Sequence, residues 1–434
     1  MIDQFLKLKI KGDGIIWAVY FILCAVSIIE VYSSSSGLSY RSGNYFEPVL
    51  RHAGLMFVGL CLLVGTMNIK CKYFKIVTPF ALLISFVMLI AVLAVGQSTN
   101  GAQRWIGLFG FQFQPSELAK GAIVLAEAQI LSAMQTPDGA DRRAFKYIAY
   151  VSIPFVLLIA LENLSTAMLL CVTIFAMMFI GRVPKAILGK ILGGVMLAGA
   201  LFVAVIMAAG TEKTEEPVAA ETNTMTLTES APKPEKSGGV SKIFHRFGTW
   251  KSRINKFLSS KEVSPDSFDI DKDAQVAHAN IAIVSSNVVG VGPGNSVQRD
   301  FLSQAYSDFI YAIIIEELGI EGAAFVAMLY IILLFRTGRI ASRCENNFPA
   351  LLAMGLALLL VTQALFNMCV AVGLVPVTGQ PLPLISKGGT STIINCIYIG
   401  VILSVSRTAK KRPEPQPMKV AVDNTAADDK ETNV

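Results

Sequence analysis

Long apolar runs alternate with short polar segments along most of this 434-residue chain. A helix needs about 20 apolar residues to cross the roughly 30 Å hydrocarbon layer of a membrane. Ten runs approach or exceed that length, and each predicts a membrane-spanning helix. They cover residues 14–34, 52–69, 76–96, 117–135, 146–163, 165–181, 186–209, 308–335, 348–375 and 390–406. The predicted fold is an all-α polytopic membrane protein with ten transmembrane helices.

The composition supports this class. Hydrophobic residues make up 53% of the chain and charged residues 16%, whereas soluble proteins carry about 25% charged residues. This excludes an ordinary soluble enzyme, and the net charge of +6 is too small to indicate a nucleic-acid partner. The seven cysteines and three histidines are scattered, so their spacing predicts neither a disulfide framework nor a histidine-built metal site.

The basic residues predict the orientation, because cytoplasmic loops of membrane proteins are enriched in Lys and Arg. With the N-terminus in the cytoplasm, the short inner segments hold eighteen Lys and Arg, and the short outer loops hold four. Both termini are then cytoplasmic, residues 1–13 at one end and 408–434 at the other. The four outer cations become candidates for function: Arg41, Arg51, Arg104 and Lys387.

One predicted outer loop, residues 210–307, separates helices 14–209 from helices 308–407. Its segment 211–239 is polar and rich in Pro, Thr and Glu, and we expect it to be disordered. In segment 241–259, aromatic and aliphatic residues recur at helical spacing beside five basic residues. That pattern predicts an amphipathic helix lying in the membrane interface. A small soluble helix packed on the other loops is the alternative.

Segment 100–120 begins as a loop rich in Gly and aromatic residues and continues into a predicted helix. Pro115 suits a first helical turn, and Gln114 or Ser116 could cap it. Glu117 and Lys120 are three residues apart and share a helix face. A surface ion pair is one interpretation. Because Arg104 and Lys120 stand on the outer side against the charge rule, an anion site is the other.

Carboxylates mark the point where the long loop returns to the membrane. Asp308 stands at a predicted helix start, where it could also serve as a cap. Glu316 and Glu317 lie about 12 Å deeper at 1.5 Å per residue, and they need polar partners at that depth. We favour a structural pairing with buried polar groups for these two over catalysis.

Two glycine-rich segments complete the candidate site. Residues 290–300 have three glycines and a proline before Arg299, a pattern that suits phosphate contacts by backbone N–H groups but also ordinary turns. In residues 378–391, Lys387 stands between Ser386 and the pair Gly388 and Gly389. That arrangement suits a diphosphate or carboxylate ligand, or else a structural loop. Together these residues indicate an anionic, lipid-attached substrate in the outer leaflet, with transport or transfer left open.

Six segments in order resemble the SEDS family (shape, elongation, division and sporulation proteins). The resemblance extends from about residue 14 to residue 407. Its segments are VYSSSSG (31–37), NGAQRWIGLFGFQFQPSELAK (100–120), NLSTA (163–167), IAIVSSNVVGVGPGNSVQ (281–298), DFIYAIIIEELGIEG (308–322) and LVPVTGQPLPLISKGGTS (374–391).

The resemblance implies a peptidoglycan glycosyltransferase, in the bacterial inner membrane, that polymerises lipid II into glycan strands. Asp308 matches the family's catalytic aspartate and would act as base or metal ligand, with a divalent cation (Mg²⁺ or Mn²⁺) at the diphosphate. Arg104 and Lys120 match motif positions, whereas Lys387 replaces a common aromatic residue. The predicted substrate-binding residues are Arg104, Glu117, Lys120, Ser386, Lys387, Gly388 and Gly389.

The residues in these segments are more similar to those of division-type than of elongation-type members of the family. This resemblance implies a location at the division septum. Implied partners are a class B penicillin-binding transpeptidase and divisome proteins. A lipid II flippase that uses Glu127, Glu316 and Glu317 is an alternative. Further alternatives are an elongation polymerase and a catalytically silent scaffold for the transpeptidase.

Overall fold

The computed structural model describes residues 12–42, 47–95, 97–99, 102–108, 111–209, 274–302 and 307–409. The predicted disordered segment 211–239 and the predicted amphipathic helix 241–259 lie outside these residues. Residues 1–11 and the tail from 410 also lie outside them.

Ten helices in the described residues cover the ten predicted spans. Their bounds are α1 Gly14–Ser42, α2 Glu47–Asn68, α3 Lys72–Val95, α4 Pro115–Ala133, α5 Ala144–Glu162, α6 Leu164–Ile180, α7 Lys185–Ala209, α9 Ile310–Ala341, α10 Asn347–Ala371 and α11 Thr390–Thr408. A further helix, α8 Ala274–Ser285, precedes α9 and was not predicted.

Seven of the described helices are long and apolar enough to cross a membrane, namely α1, α2, α3, α5, α9, α10 and α11. Helix α6 is apolar but shorter, while α4 contains Glu117, Lys120 and Glu127. Large apolar side chains on several helices point outward, among them Phe57, Phe80, Leu157 and Phe335. Outward apolar faces on a bundle of this kind suit contact with lipid, so the chain is a multi-pass membrane protein.

The interior of the bundle is built mainly by α4, α9, α10 and α11, whose facing side chains form one apolar core. Helix α11 packs extensively along α2, and α10 packs against α4, α6 and α9. Helix α7 is peripheral, since most of its described apolar side chains are exposed, including Val195, Met196 and Leu201. The polar side chains discussed below are therefore held by the inner helices.

Short strands correct the prediction of an irregular loop before α4. Strands β1 Gln97–Thr99, β2 Ala102–Leu108 and β3 Phe111–Phe113 form an antiparallel sheet, in which Ile106 pairs with Phe113. A hairpin of β4 Gln135–Thr136 and β5 Gly139–Ala140 follows α4. The predicted all-α class is confirmed, since helices make up most of the described residues and the strands are only two to seven residues long. Aromatic and β-branched residues in β2 and β3 favour strands, although the sequence pattern predicted only a loop.

Helix α9 is broken at Gly319, which has φ 72° and ψ −177°. The backbone N–H groups of Val291 and Gly292 donate to the carbonyls of Glu316 and Glu317, at 3.0 and 2.8 Å. A Cβ atom on Gly319 would lie 2.1 Å from the Val288 carbonyl oxygen. Only glycine fits this close approach, so the end of the long loop is joined directly to the first part of α9.

Candidate functional site

Asp308 lies in a turn, residues 307–309, immediately before α9. The residue at the N-cap position of α9 is Phe309, so the alternative interpretation of Asp308 as the cap of this helix is wrong. The Asp308 side chain is half-buried, and the Ser307 hydroxyl donates to its Oδ1 atom at 3.1 Å. The carboxyl group is thus neither deep in the apolar core nor fully in solvent.

The loop between α10 and α11, residues 372–389, lies against this turn. The Ser386 hydroxyl donates to the Ser307 carbonyl oxygen at 2.7 Å and accepts from the Leu382 N–H at 2.7 Å. Leu384 in the same loop is 2% exposed and has φ 66°. A buried leucine in this conformation is strained by about 1 kcal/mol or more and persists only where the surroundings impose it. The loop is therefore held in one shape.

Glu117 and Lys120 form an ion pair with Nζ and Oε1 2.8 Å apart. The predicted shared face is confirmed, but a surface position is wrong, since the two side chains are 1% and 0% exposed. Lys120 Nζ also donates to Gln363 Oε1 on α10 at 2.7 Å. Gln114 occupies the N-cap position of α4 without a side-chain cap, so the predicted capping by Gln114 or Ser116 is wrong as well. Two of the three N–H donors of Lys120 are thus engaged by protein partners in a buried site.

Amide side chains connect this ion pair to the turn at Asp308. Gln363 Nε2 donates to the Pro381 carbonyl at 3.0 Å. One helical turn later, Asn367 Nδ2 donates to the carbonyls of Asp308 and Gln380, both at 2.8 Å. Gln380 Nε2 in turn donates to Thr166 Oγ1 at 2.8 Å, near the start of α6. Elements α4, α6, α9 and α10 and the loop thus share one polar network.

Lys387 lies half-buried in the loop, near α2. Burial, followed by the positive charge of Arg51, lowers the pKa of Lys387 below its usual value. An anion beside it would stabilise its charged form. The same loop is fixed to α1, because the Ser27 hydroxyl donates to the Ile385 carbonyl at 2.6 Å. His52 Nε2 lies 2.8 Å from that hydroxyl and must donate to it, since the serine proton is already used.

Gly388 and Gly389 lead directly into α11, whose N-cap is Gly389. The Ser391 N–H and hydroxyl both donate to the Gly388 carbonyl, at 3.1 and 2.9 Å. No heavy atom of the described residues lies within 4 Å of where a Cβ on Gly389 would stand, so its backbone is open to a ligand. Arg104 lies in β2, the central strand of the small sheet.

Glu316 and Glu317 are paired with polar groups, which confirms the structural interpretation. Glu316 Oε1 accepts the N–H groups of Val297 and Gln298 at 3.1 and 3.4 Å, and its Oε2 accepts the Ser296 hydroxyl. Glu317 Oε1 accepts the Ser33 hydroxyl and the Ser296 N–H. These carboxylates fix the end of the long loop, and both oxygens of Glu316 accept hydrogen bonds from it.

Arg299 and Glu127 have different surroundings. Arg299 Nη1 donates to the carbonyls of Gly294 and Ser33 at 2.7 and 3.2 Å, so it also holds the glycine-rich segment in place. Neither carboxylate oxygen of Glu127, which is 1% exposed, has a hydrogen-bond partner among the described residues.

The described residues contain no group of three or more His, Cys, Asp and Glu side chains placed to hold a metal ion. Mg²⁺, however, is commonly bound by one or two carboxylates together with substrate phosphates. The half-buried carboxyl of Asp308 fits a cation that arrives with such a substrate.

Sequence analysis missed four of the residues that surround Asp308. Gln363 and Asn367 lie inside a predicted span, Thr166 lies at the edge of another, and Gln380 lies in the loop 372–389. Polar side chains at membrane depth are costly and indicate function or a specific partner. That rule, applied to amides as well as to charges, would have found Gln363 and Asn367.

Comparison with known proteins gives matches along most of the chain. Residues 13–411 match the family model FTSW_RODA_SPOVE, described as a cell cycle protein. The probable peptidoglycan glycosyltransferase FtsW of Coxiella burnetii is 29% identical over 411 residues, which are 91% of this chain and 98% of that protein. The peptidoglycan glycosyltransferase MrdB of Escherichia coli K12 is 25% identical over 399 residues, which are 92% of this chain and 94% of that protein.

A solved structure described as "Structural coordination of polymerization and crosslinking by a peptidoglycan synthase complex" contains a chain of similar fold. The TM-score is 0.65 at 23% identity, over 91% of this chain and 98% of that one. At this identity the similarity concerns the fold.

Proposed function

This chain belongs to the FtsW/RodA/SpoVE family of cell cycle proteins, and from that premise we propose that it polymerises lipid II into glycan strands during cell division. It is a multi-pass membrane glycosyltransferase. The donor would be a growing strand linked to undecaprenyl diphosphate, and the acceptor the sugar 4-hydroxyl of another lipid II.

The observation that carries the proposal is the setting of Asp308. Its carboxyl is half-buried beside a strained, anchored loop that brings Lys387 and the open backbone of Gly389 to the same end of the bundle. A general base must reach a hydroxyl while remaining partly shielded from water. Asp308 is the acidic side chain in this network whose surroundings meet both requirements.

The reaction requires one base and a place for the departing diphosphate. Asp308 accepts the proton of the acceptor hydroxyl, and the oxygen of that hydroxyl forms a bond to the anomeric carbon. The bond from that carbon to the diphosphate breaks, and the configuration inverts. Lys387 and Arg104 are the cations proposed for the diphosphate. The N–H groups at the start of α11, next to Gly388 and Gly389, favour negative charge there.

Glu117, Lys120 and Ser386 support the site through other residues in this proposal. The Ser386 hydroxyl donates to the Ser307 carbonyl beside Asp308. Glu117 holds Lys120, and Lys120 holds Gln363 against the loop. A ligand that displaces Glu117 from Lys120 would gain a strongly attractive buried cation. A divalent cation, Mg²⁺ or Mn²⁺, would neutralise the diphosphate; the alternative role for Asp308 is to bind that cation instead of acting as the base.

The orientation of the bundle supports an outer-leaflet reaction. The positive-inside rule assigns both termini to the cytoplasm and so the Asp308 end to the outer face of the bacterial inner membrane, with all ten helices spanning. We propose the division septum as the location, because the residues in the motif segments are more similar to those of division-type members. The similarity to MrdB keeps an elongation role as the second candidate. A class B penicillin-binding transpeptidase and divisome proteins are the proposed partners.

The test is a gel assay for glycan strands made from purified lipid II with Mg²⁺ or Mn²⁺. It includes a cognate transpeptidase whose own active serine has been removed. We expect strands from the wild type and at least a 100-fold loss for Asp308→Asn, which preserves shape but removes the base. The matched control is Asp300→Asn. Asp300 is exposed in the same loop and lies 3.7 Å from Arg299, so this change should leave polymerisation within about twofold.

Strands from Asp308→Asn at the wild-type rate would remove Asp308 as the base. No strands from the wild type, with the partner shown to be bound, would favour transport or scaffolding. In that case lipid II translocation in vesicles would be measured for Glu127→Gln, because the Glu127 carboxyl is buried without a hydrogen-bond partner in the described part of the chain.

A further inference from the structure

Two side chains from outside the turn hold the two carbonyl groups that flank the Cα atom of Asp308. The Ser386 hydroxyl donates to the Ser307 carbonyl at 2.7 Å. Asn367 Nδ2 donates to the Asp308 carbonyl at 2.8 Å. The first donor comes from the loop before α11 and the second from α10, so two separate elements form hydrogen bonds with adjacent peptide groups.

This arrangement determines the direction of the Asp308 side chain. A peptide group is planar, so the backbone has only two soft dihedral angles at each residue. The Ser307 carbonyl belongs to the plane before the Asp308 Cα, and the Asp308 carbonyl belongs to the plane after it. Fixing both planes fixes φ and ψ of Asp308, and with them the direction of its Cα–Cβ bond.

Both donors are themselves immobilised. Asn367 is 1% exposed, and its Nδ2 atom also donates to the Gln380 carbonyl at 2.8 Å. Ser386 is 1% exposed, and its oxygen accepts the Leu382 N–H. The loop between them is tied to the bundle by Gln363 at the Pro381 carbonyl and by Ser27 at the Ile385 carbonyl.

We propose that Asn367 and Ser386 are positioning residues that aim the Asp308 carboxyl at the acceptor hydroxyl, and that Ser386 acts in this way rather than by binding substrate. This inference rests on the proposed function, since it assigns the two residues to the same reaction. A displacement of about 1 Å in a reacting group can cost about 100-fold in rate. The loss of either donor therefore acts mainly on kcat and little on the KM for lipid II.

The competing interpretation is that both side chains merely attach the loop to the bundle. Tyr330 provides the matched control, because its hydroxyl anchors the same loop through the Pro383 carbonyl without touching residues 307–309. Tyr330→Phe removes an anchor of the loop and leaves the Asp308 backbone contacts in place. If attachment is all that matters, Tyr330→Phe and Ser386→Ala should behave alike.

The experiment compares wild type, Asn367→Leu, Asn367→Asp, Ser386→Ala and Tyr330→Phe in the full-length protein with its transpeptidase. Hydrogen–deuterium exchange over residues 307–314 is measured first, because it does not depend on polymerisation. Steady-state rates with lipid II follow. We expect faster exchange and a 10- to 100-fold lower kcat, with KM within about twofold, for Asn367→Leu and Ser386→Ala. Tyr330→Phe should match the wild type in both measurements.

Asn367→Asp adds a readout that packing alone cannot produce. Ionised, the new carboxylate would face the carbonyls of Asp308 and Gln380 and repel them. Protonated, it could donate one hydrogen bond to restore part of the contact. Its kcat relative to wild type should therefore rise as pH falls from 8.5 to 5.5. The charged groups nearest to this site, Asp308, Glu117, Lys120 and Lys387, are the same in both proteins, so the ratio at each pH reports the effect of the substitution.

Unchanged exchange over residues 307–314 in Asn367→Leu and Ser386→Ala would overturn the proposal. A loss of activity equal to that of Tyr330→Phe, or one explained by the loss of folded protein, would also overturn it. If the wild type makes no strands, the proposed function fails, and the exchange data alone decide whether the two side chains hold the turn.

Discussion

The two ends of the bundle hold their charged groups in different ways. At the end that contains Asp308, the Glu117–Lys120 pair is almost completely buried, with exposures of 1% and 0%. At the opposite end, Asp13 and Arg336 form a pair of similar length, 2.7 Å, with exposures of 11% and 23%. The same kind of contact thus occurs in two surroundings, one that excludes water and one that admits it.

The hydrogen-bond partners of the side chains at the two ends differ as well. Asp13 Oδ1 accepts the N–H groups of Ile15 and Ile16 at the start of α1, at 3.1 and 3.3 Å. Arg407 donates to the Met67 carbonyl at the end of α2 at 2.9 Å. These contacts complete helix ends. At the Asp308 end, side chains instead donate to the backbone of a loop. The end that contains Asp13 joins helices, and the end that contains Asp308 holds irregular backbone in a fixed shape.

The largest expected effect tests the buried pair. Lys120→Met leaves the Glu117 carboxylate without its cation in a dry site, and we expect a loss of about 3–5 kcal/mol in stability. Thermal unfolding in detergent would measure it. The double variant Glu117→Leu with Lys120→Met should regain most of that stability, because no charge remains buried.

The activity of the double variant then shows what the pair is for. Polymerisation that returns with stability would mean that the pair only supports the fold. Polymerisation that stays low in a stable protein would mean that Lys120 contributes to the reaction. If Lys120→Met is as stable as the wild type, the distinction between buried and open ends drawn here is wrong.

A smaller effect is expected at the other end. Arg336→Met leaves Asp13 partly exposed and still bonded to two backbone N–H groups, so water can replace the guanidinium. The expected loss is about 1 kcal/mol, or about 2 °C in the unfolding temperature. A loss equal to that of Lys120→Met would contradict the comparison.

The smallest effect is a pH dependence at Asp13. Burial raises the pKa of Asp13, while the hydrogen bonds and charge of Arg336 lower it, and the net effect holds it below its usual value. The stability that this group contributes is present above the unfolded-state pKa, near 3.8, and is lost as the pH falls through the lower, folded value.

Asp13→Asn keeps an oxygen that can cap α1 but removes the charge. It should be less stable than wild type at pH 7, by less than about 1 kcal/mol, and the difference should vanish at low pH. Unfolding temperatures of the two proteins between pH 7 and pH 3 would measure this. A difference that is as large at pH 3 as at pH 7 would mean that the charge is not its source.

The helices were predictable from the sequence, because an apolar run of membrane length has few other structures available to it. The pairing of Glu117 with Lys120 was also predictable from their spacing, but its burial was not, since Gln363 and Tyr398, which contact these two residues, come from α10 and α11. The strands around Trp105 were missed because the alternation in β2 is short and lies beside glycines. Helix α8 is also short and was read as part of the loop.

The candidate site was predictable only in part. Asp308 stood out because it follows a long polar loop and precedes an apolar run. The link from Asn367 to its carbonyl joins residues 59 positions apart, and no local pattern encodes such a contact. Ser386 was expected to face substrate because of its neighbours Lys387 and Gly388, but the fold turns its hydroxyl toward the backbone of Ser307.

The break in α9 limits how this sequence can vary. A Cβ atom on Gly290 would lie 2.4 Å from the Glu317 carbonyl oxygen, and one on Gly319 would lie 2.6 Å from the Gly290 nitrogen. Each glycine occupies space that a side chain on the other would need. A substitution at one glycine does not make room for a side chain at the other, so the two positions cannot vary independently. An inserted or deleted residue between Val288 and Gly292 would shift the hydrogen bonds of Val291 and Gly292 to the carbonyls of Glu316 and Glu317.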